Sequence, residues 1–144
     1  MRILKNLFIS GITGKVGKLL SSYALESNHF KLVGGSCTPD NDFFEKDVGT
    51  LLGIDETGIQ ISEKMSEDLS VDIIIDFSSL KSSIKILQLA KRKEIPILIG
   101  TTGFSEDDFK EIEVASTQIP VLFAPNTSSG IAVSYTHLTL PTKA

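Results

Sequence analysis

A short glycine-rich turn near the amino terminus constrains the fold of this chain more than any other feature. The turn spans residues 11–17 and reads Gly11-Ile12-Thr13-Gly14-Lys15-Val16-Gly17. An apolar stretch typical of a buried strand, residues 3–10, precedes it, and residues 18–25 have the apolar spacing of a helix. A strand, a glycine turn and a helix in this order form a phosphate-binding device. Glycine lets the backbone approach the anion, and free N–H groups at the helix start face it.

Two other interpretations fit parts of the same turn. In one, the glycines only permit a tight turn and close packing of the helix. In the other, the turn is a mononucleotide P-loop, which requires glycine, four residues and then Gly-Lys-Ser/Thr. Counting back from Gly17-Lys18 places Ile12 at the first glycine, and Leu19 stands at the hydroxyl position, so the P-loop is excluded. The packing interpretation stays open on the turn alone.

Length and composition favour one soluble domain. The chain has 144 residues, of which 41% are apolar and 22% charged, as is usual for a globular protein with one core. A formal net charge of −4 without a basic run argues against a nucleic-acid partner. The single cysteine, Cys37, forms no internal disulfide, and no apolar run approaches the roughly 20 residues of a membrane span. We therefore expect a cytoplasmic protein that binds neither nucleic acid nor membrane.

Strand and helix patterns alternate along the rest of the chain. Strands are predicted at residues 30–35, 59–61, 71–76, 96–99 and 120–123. A helix is predicted at residues 80–93 from an apolar stripe with lysines on the opposite face. Another is predicted from Ser105 onward, because acids at 106–108 in its first turn complement the helix dipole. Residues 38–58 are polar and punctuated by glycine, which predicts a long surface connection. The alternation predicts an α/β fold, a doubly wound parallel sheet that binds ligands at the carboxyl ends of its strands.

Small and polar residues follow four of the predicted strands. They are the glycine turn, Asp76-Phe77-Ser78-Ser79, Gly100-Thr101-Thr102-Gly103-Phe104 and Ala124-Pro125-Asn126-Thr127-Ser128-Ser129-Gly130. Each segment has a plain structural interpretation: Asp76 or Ser78 caps the next helix, residues 100–103 form a turn, and Asn126 holds a turn. Because the carboxyl ends of parallel strands share one edge, the four segments together predict a ligand site along that rim.

These four segments, in this order, resemble the motifs of the 4-hydroxy-tetrahydrodipicolinate reductase family, also called dihydrodipicolinate reductase. The resemblance covers residues 3–133, and the Gly-Thr-Thr-Gly-Phe segment followed by Ala-Pro-Asn is its most specific part. It implies a Rossmann-like fold and a reductase of diaminopimelate and lysine biosynthesis. Such an enzyme transfers hydride from NADPH or NADH to a cyclic imine dicarboxylate, giving tetrahydrodipicolinate. It also implies that intact members are homo-oligomers.

The same resemblance implies roles for the cofactor-binding residues. The turn residues Gly11, Ile12, Thr13, Gly14, Lys15, Val16 and Gly17 would hold the pyrophosphate. Gly100, Thr101 and Thr102 would meet the nicotinamide side, and Ala124, Pro125, Asn126 and Thr127 would flank the nicotinamide. The sequence departs from the family pattern at one of these positions and at one further segment. Thr127 replaces a bulkier apolar residue, and Ser36-Cys37-Thr38 offers neither an acid for a ribose nor an arginine for a 2′-phosphate. NADPH is favoured over NADH only because no acid at residues 36–38 would repel its 2′-phosphate. Lys15 is the nearest candidate partner for that phosphate.

A third departure concerns the substrate. The family continues into a substrate domain with a paired-histidine and lysine motif and a Ser-Gly-Thr segment, and neither occurs in these 144 residues. We therefore expect an incomplete fold, a truncated form that binds cofactor without turning over substrate and that carries no catalytic or metal-binding residue. Residues 1–133 are interpreted as the dinucleotide-binding domain. Residues 134–144 are interpreted as a non-native or disordered tail, because Pro141 would break the helix that the family places there.

Two alternatives remain for the function of the chain. One is a non-catalytic dinucleotide-binding sensor module, since related glycine turns occur in regulatory proteins. The other is the cofactor domain of another amino-acid dehydrogenase, which shares the glycine turn but gives no reason for the segment Gly100-Thr101-Thr102-Gly103-Phe104.

Overall fold

The structure, a computed structural model, describes residues 4–124. This part of the chain contains six strands and four helices. In order they are β1 (Lys5–Ser10), α1 (Lys15–Glu26), β2 (Phe30–Ser36), α2 (Val48–Leu52), β3 (Ile61–Ser62), β4 (Ile73–Asp76), α3 (Leu80–Lys93), β5 (Ile97–Ile99), α4 (Glu106–Ser116) and β6 (Val121–Phe123). Among these strands, only β3 and β4 follow each other without a helix between them. Among residues 4–124, no helix is both long and apolar enough to cross a lipid bilayer. The tail predicted at residues 134–144 lies outside the described residues.

The described strands form one six-stranded parallel sheet in the order β3-β2-β1-β4-β5-β6. This is the strand order of dinucleotide-binding folds, and it changes direction between β1 and β4. Ser10 lies opposite both Ser36 and Asp76, Asp76 lies opposite Ile99, and Ile99 lies opposite Phe123. The strands therefore end level with one another, and the segments after them start from one edge. The predicted Rossmann-like parallel sheet is confirmed.

Successive side chains of β1 belong to two separate cores. Phe8 packs on the face of the sheet covered by α3 and α4, whereas Leu7 and Ile9 pack on the face covered by α1 and α2. All three side chains are at most 3% exposed. Burying a large apolar side chain contributes roughly 1.5–3 kcal/mol, so both faces of this central strand stabilise the fold. The sheet is doubly wound, as the alternating pattern predicted.

Helix α3 has the bounds predicted from its apolar stripe, but its capping residue differs from the prediction. The side chain of Ser79 accepts a hydrogen bond from the N–H of Ser82 at 3.2 Å, which makes Ser79 the N-cap. The expectation that Asp76 or Ser78 caps this helix is wrong. The two side chains instead bind each other, with Ser78 Oγ donating to Asp76 Oδ1 at 2.5 Å.

The predicted connection at residues 38–58 contains the short helix α2, which the sequence did not reveal. Asp47 is its N-cap, and the Asp47 carboxylate accepts hydrogen bonds from the N–H groups of Gly49 at 2.6 Å, Thr57 at 2.8 Å and Gly58 at 2.7 Å. Gly53 ends the helix in the left-handed conformation, with φ of 72°. A helix of five residues is too short to show a helical period. The Asp47 carboxylate stabilises this one by capping it and by also binding Thr57 and Gly58.

Candidate functional site

Three segments that follow strands meet in a cleft of about 340 Å³ at the carboxyl edge of the sheet. They are the start of α1, the segment after β4 and the segment after β5. The lining residues are Gly14, Lys15, Val16, Phe77, Ser78, Ser79, Leu80, Gly100, Thr101 and Thr102. The cleft thus brings together two groups of predicted cofactor-binding residues that are far apart in the sequence, residues 14–16 and 100–102.

A larger groove of about 550 Å³ lies at the opposite end of β5 and β6. Most of its lining is apolar, with Pro96 and Pro120 at the amino ends of the two strands and Leu98 and Leu122 along them. It contains none of the predicted site residues. Ligands of open α/β sheets bind outside the carboxyl ends of the strands, so the smaller cleft is the candidate site.

The structure separates the roles of the three glycines in the turn. Gly11 has a φ of +80°, and a Cβ there would lie 2.7 Å from the carbonyl carbon of Phe77. A Cβ on Gly17 would lie 2.7 Å from the carbonyl carbon of Ile12. Both glycines are therefore required by packing. Gly14 has an ordinary φ of −75°, and a Cβ there would meet only the carbonyl oxygen of Gly11, at 3.6 Å. Packing explains two of the glycines but not Gly14, which lines the cleft.

Gly14 leaves the amino end of α1 open toward the cleft. It is the N-cap of α1, it provides no side-chain hydrogen bond, and the first turn contains no acidic residue. The other three helices of the described chain are capped by side chains, those of Asp47, Ser79 and Ser105. Because the N–H groups of a first helical turn have no partner within the helix, those of α1 are available to an anion. Lys15, exposed at the first helical position, adds positive charge.

Gly11, Ile12, Thr13 and Gly17 support the turn and do not line the cleft. The N–H groups of Gly11 and Ile12 both donate to the carbonyl oxygen of Ser36, each at 3.0 Å. The Ile12 side chain is fully buried, and Asn41 Nδ2 donates to Thr13 Oγ1 at 3.2 Å. These contacts fix the turn against the end of β2 and the loop that follows it.

The opposite wall of the cleft is built by the segments after β4 and β5. The N–H of Gly100 donates to the carbonyl oxygen of Asp76 at 2.7 Å. The Thr101 side chain is not accessible from the cleft. Thr101 is 7% exposed, and its hydroxyl accepts a hydrogen bond from the N–H of Ser78 at 3.0 Å. Thr102 is exposed. Thr101 can therefore serve a ligand through its backbone, and Thr102 through either backbone or side chain.

Four lining residues were not among the predicted cofactor-binding residues. They are Phe77, Ser78, Ser79 and Leu80. The available signal was their position directly after the central strand β4, at the same edge as the glycine turn. The sequence interpretation named Ser78 as a possible cap of α3, but the structure gives that role to Ser79, which was not predicted to have it.

The predicted residues at the end of β6 are only partly described. Ala124 is 4% exposed, and its N–H donates to the carbonyl oxygen of Ile99 at 2.7 Å, so it extends the pairing of β6 with β5. It does not line the cleft formed by the described residues. Pro125, Asn126 and Thr127 lie outside the described residues.

Comparison with known proteins identifies the family of the chain. Residues 5–127 match the family described as "Dihydrodipicolinate reductase, N-terminus". The 4-hydroxy-tetrahydrodipicolinate reductase of Colwellia psychrerythraea is 35% identical over 136 residues, which cover 94% of this chain and 51% of the relative. The reductase of the same name from Methanopyrus kandleri is 29% identical over 130 residues, covering 85% of this chain and 46% of the relative.

A solved structure shares the fold. It is described as "Dipicolinate bound Dihydrodipicolinate reductase from Paenisporosarcina sp. TG-14" and matches with a TM-score of 0.65 at 16% sequence identity. The match covers 86% of this chain and 48% of that chain. The chain spans about half the length of the curated relatives it matches. Because the family match includes the glycine turn and residues 100–104, the resemblance read from the sequence is confirmed, and the chain belongs to the dihydrodipicolinate reductase family.

Proposed function

We propose that this chain is the dinucleotide-binding part of an NADPH- or NADH-dependent reductase that acts on a cyclic imine dicarboxylate of the diaminopimelate and lysine pathway. The observation that carries the proposal is the open amino end of α1, which faces the cleft across from residues 100–102. Membership of the family supplies the reaction class, since its members are named as reductases.

The glycine turn is suited to the pyrophosphate. Gly14 carries no side chain to block the approach of an anion, and the first-turn N–H groups of α1 have no side-chain acceptor. A phosphate at such a position accepts hydrogen bonds from those N–H groups and is stabilised by the helix dipole. The charge of Lys15 adds to this attraction. Gly11, Ile12, Thr13 and Gly17 support the site by holding the turn in shape.

The segment after β5 is suited to the nicotinamide end. In this fold the two halves of a dinucleotide lie on either side of the point where the strand order reverses, so the nicotinamide falls on the side of β4, β5 and β6. Backbone groups of residues 100–102 would orient the ring there, and residues 124–127 would flank it. When bound, the cofactor supplies the hydride, and the chain's contribution is to hold the ring in a fixed position near the acceptor.

Binding and turnover are expected to separate in this chain. The paired-histidine and Ser-Gly-Thr segments, which the family resemblance assigns to the substrate, do not occur in the 144 residues. A polypeptide of only this sequence should therefore bind the cofactor without reducing the substrate. Reductase activity in the purified polypeptide would contradict this part of the proposal.

Isothermal titration of the folded protein with NADPH and NADH tests the cofactor assignment. Binding of at least one is expected, and Gly14→Glu should abolish it, because the new carboxylate adds bulk and negative charge where the pyrophosphate would lie. Ser22→Glu is the matched control, since Ser22 is exposed on the same helix about 12 Å further along its axis. Folded wild-type protein that binds neither nucleotide would refute the proposal.

A further inference from the structure

A buried carboxylate lies directly behind the cleft wall. Asp76, the last residue of β4, has no exposed surface. Its side chain accepts hydrogen bonds from the hydroxyls of Ser78 at 2.5 Å, of Thr101 at 3.1 Å, and of Ser83. We call these four residues the Asp76 cluster. Burying a charged or polar group costs free energy unless hydrogen bonds satisfy it. The four residues of the cluster therefore depend on one another.

The members of the Asp76 cluster come from different elements. Ser83 belongs to α3, whereas Thr101 belongs to the segment after β5, and their hydroxyl oxygens lie 2.7 Å apart. Thr101 Oγ1 also accepts from the backbone N–H of Ser78 at 3.0 Å. The cluster therefore ties the end of β4, the first turns of α3 and the start of the β5 segment to one another.

Capping of α3 does not account for the cluster, because Ser79 performs that role. The backbone carbonyl of Asp76 also accepts the N–H of Gly100 at 2.7 Å, so both the main chain and the side chain of Asp76 hold the segment that lines the cleft. No buried side-chain nitrogen or oxygen within residues 4–124 lacks a partner. The Ser83 and Thr101 hydroxyls are thus used internally rather than offered to a ligand.

We propose that Asp76, Ser83 and the Thr101 hydroxyl are positioning residues, which fix the backbone of residues 100–102 for contact with the nicotinamide end of the dinucleotide. This inference rests on the proposed function. It differs from the roles implied by family resemblance in assigning the Thr101 side chain to the internal cluster. It also predicts a larger effect on the nicotinamide half of the ligand, because the hydrogen bonds that hold the glycine turn come from Ser36 and Asn41 and not from the cluster.

The test compares NADH with ADP, which has the adenosine and pyrophosphate groups but no nicotinamide. Ser83→Ala and Thr101→Val each remove one hydroxyl, and each should weaken NADH binding about tenfold while changing ADP binding less than about twofold. Thr101→Ser restores the hydroxyl and should recover most of the lost NADH affinity. Ser116→Ala is the matched control, because Ser116 is also a buried helical serine but donates to the carbonyl of Glu113 on α4.

The outcomes separate the two proposals. Equal weakening of NADH and ADP by Ser83→Ala would show a general structural role and would overturn the positioning role alone. Thr101→Ser that binds NADH as weakly as Thr101→Val would overturn it too, since the hydroxyl would not be the group responsible. Wild-type protein that binds none of NADPH, NADH and ADP would refute the proposed function and the inference with it. If it binds NADPH but not NADH, NADPH takes the place of NADH in the comparison. Thermal unfolding of every variant, with and without ADP, verifies that the binding comparison uses folded protein.

Discussion

The aromatic ring of Phe77 packs against the backbone of Gly100, so closely that a Cβ at residue 100 would lie 2.5 Å from Cδ1 of the ring. Phe77 follows β4 and Gly100 follows β5, and both line the cleft. Gly100 therefore lets the wall of the candidate site form from two segments in direct contact. The sequence suggested only a turn at residues 100–103, but Gly100 is required by its contact with Phe77, a residue distant in the sequence.

Gly100→Ala should displace the Phe77 ring and disturb the cleft wall. We expect a loss of about 1–3 kcal/mol in the free energy of unfolding, the usual cost of overpacking, together with weaker NADH binding. Chemical denaturation and titration measure the two effects. For the stability measurement alone, Gly14→Ala is the control, because a Cβ at Gly14 has space and Gly14 has an ordinary φ, whereas Gly53 has a φ of 72°. Unchanged stability in Gly100→Ala would contradict the packing role.

The glycines of the turn should respond differently to alanine. Gly17→Ala places a Cβ against backbone atoms of Ile12 and should lower the free energy of unfolding by more than about 2 kcal/mol. Gly14→Ala should cost less than about 1 kcal/mol, the range for an exposed N-cap. Urea denaturation of both variants measures the difference. Equal destabilisation would mean that Gly14 is also required by packing.

Gly14→Ser should have opposite effects on stability and on binding. A serine at the N-cap accepts a hydrogen bond from an N–H of the first turn, so α1 should be stabilised by a few tenths of a kcal/mol. The same bond occupies a donor that the pyrophosphate would use, so ADP and NADH should both bind more weakly. Thermal unfolding and titration of one preparation give both numbers. ADP binding as tight as in wild type would argue against an anion at this helix end.

The carboxylate of Asp47 should make the stability of the α2 region depend on acid pH. Hydrogen bonds from the backbone of Thr57, and then from Gly49, the Thr57 hydroxyl and Gly58, lower the pKa of Asp47 to about 2. An unfolded aspartate has a pKa of about 3.9. Because the folded pKa is lower, the stabilisation is complete above about pH 5 and is lost as the pH falls through 4 toward 2.

Asp47→Asn tests this dependence through urea midpoints measured between pH 2 and pH 7. The gap between wild type and the variant should be widest at neutral pH and should narrow in acid. Glu56→Gln, at an exposed acid of the same loop, is the control and should show no comparable trend. A gap that stays constant over the whole range would show that the ionised carboxylate is not what stabilises the loop.

Local signals in the sequence predicted much of the fold. The apolar stripe of α3 predicted residues 80–93, and Ser105 with the acids at 106–108 predicted the start of α4, where the structure has a capping box. Both signals operate within a few residues, so no tertiary information was needed. Helix α2 was missed because it has only five residues, and because the Asp47 carboxylate that caps it also binds Thr57 and Gly58, which no local pattern indicates.

By itself, the sequence determined the order of the strands and of helices α1, α3 and α4, the parallel sheet they imply and the rim where its polar segments meet. Only the tertiary structure decided what each residue of that rim does. Gly11 and Gly17 are confined by the backbone of Phe77 and Ile12, whereas Gly14 is open to the cleft. The Thr101 hydroxyl is turned inward to Asp76. Residues of one type in one motif have different roles because their neighbours in the fold determine the space and the hydrogen-bond partners available to each. Those neighbours come from distant segments, so no local sequence pattern indicates them.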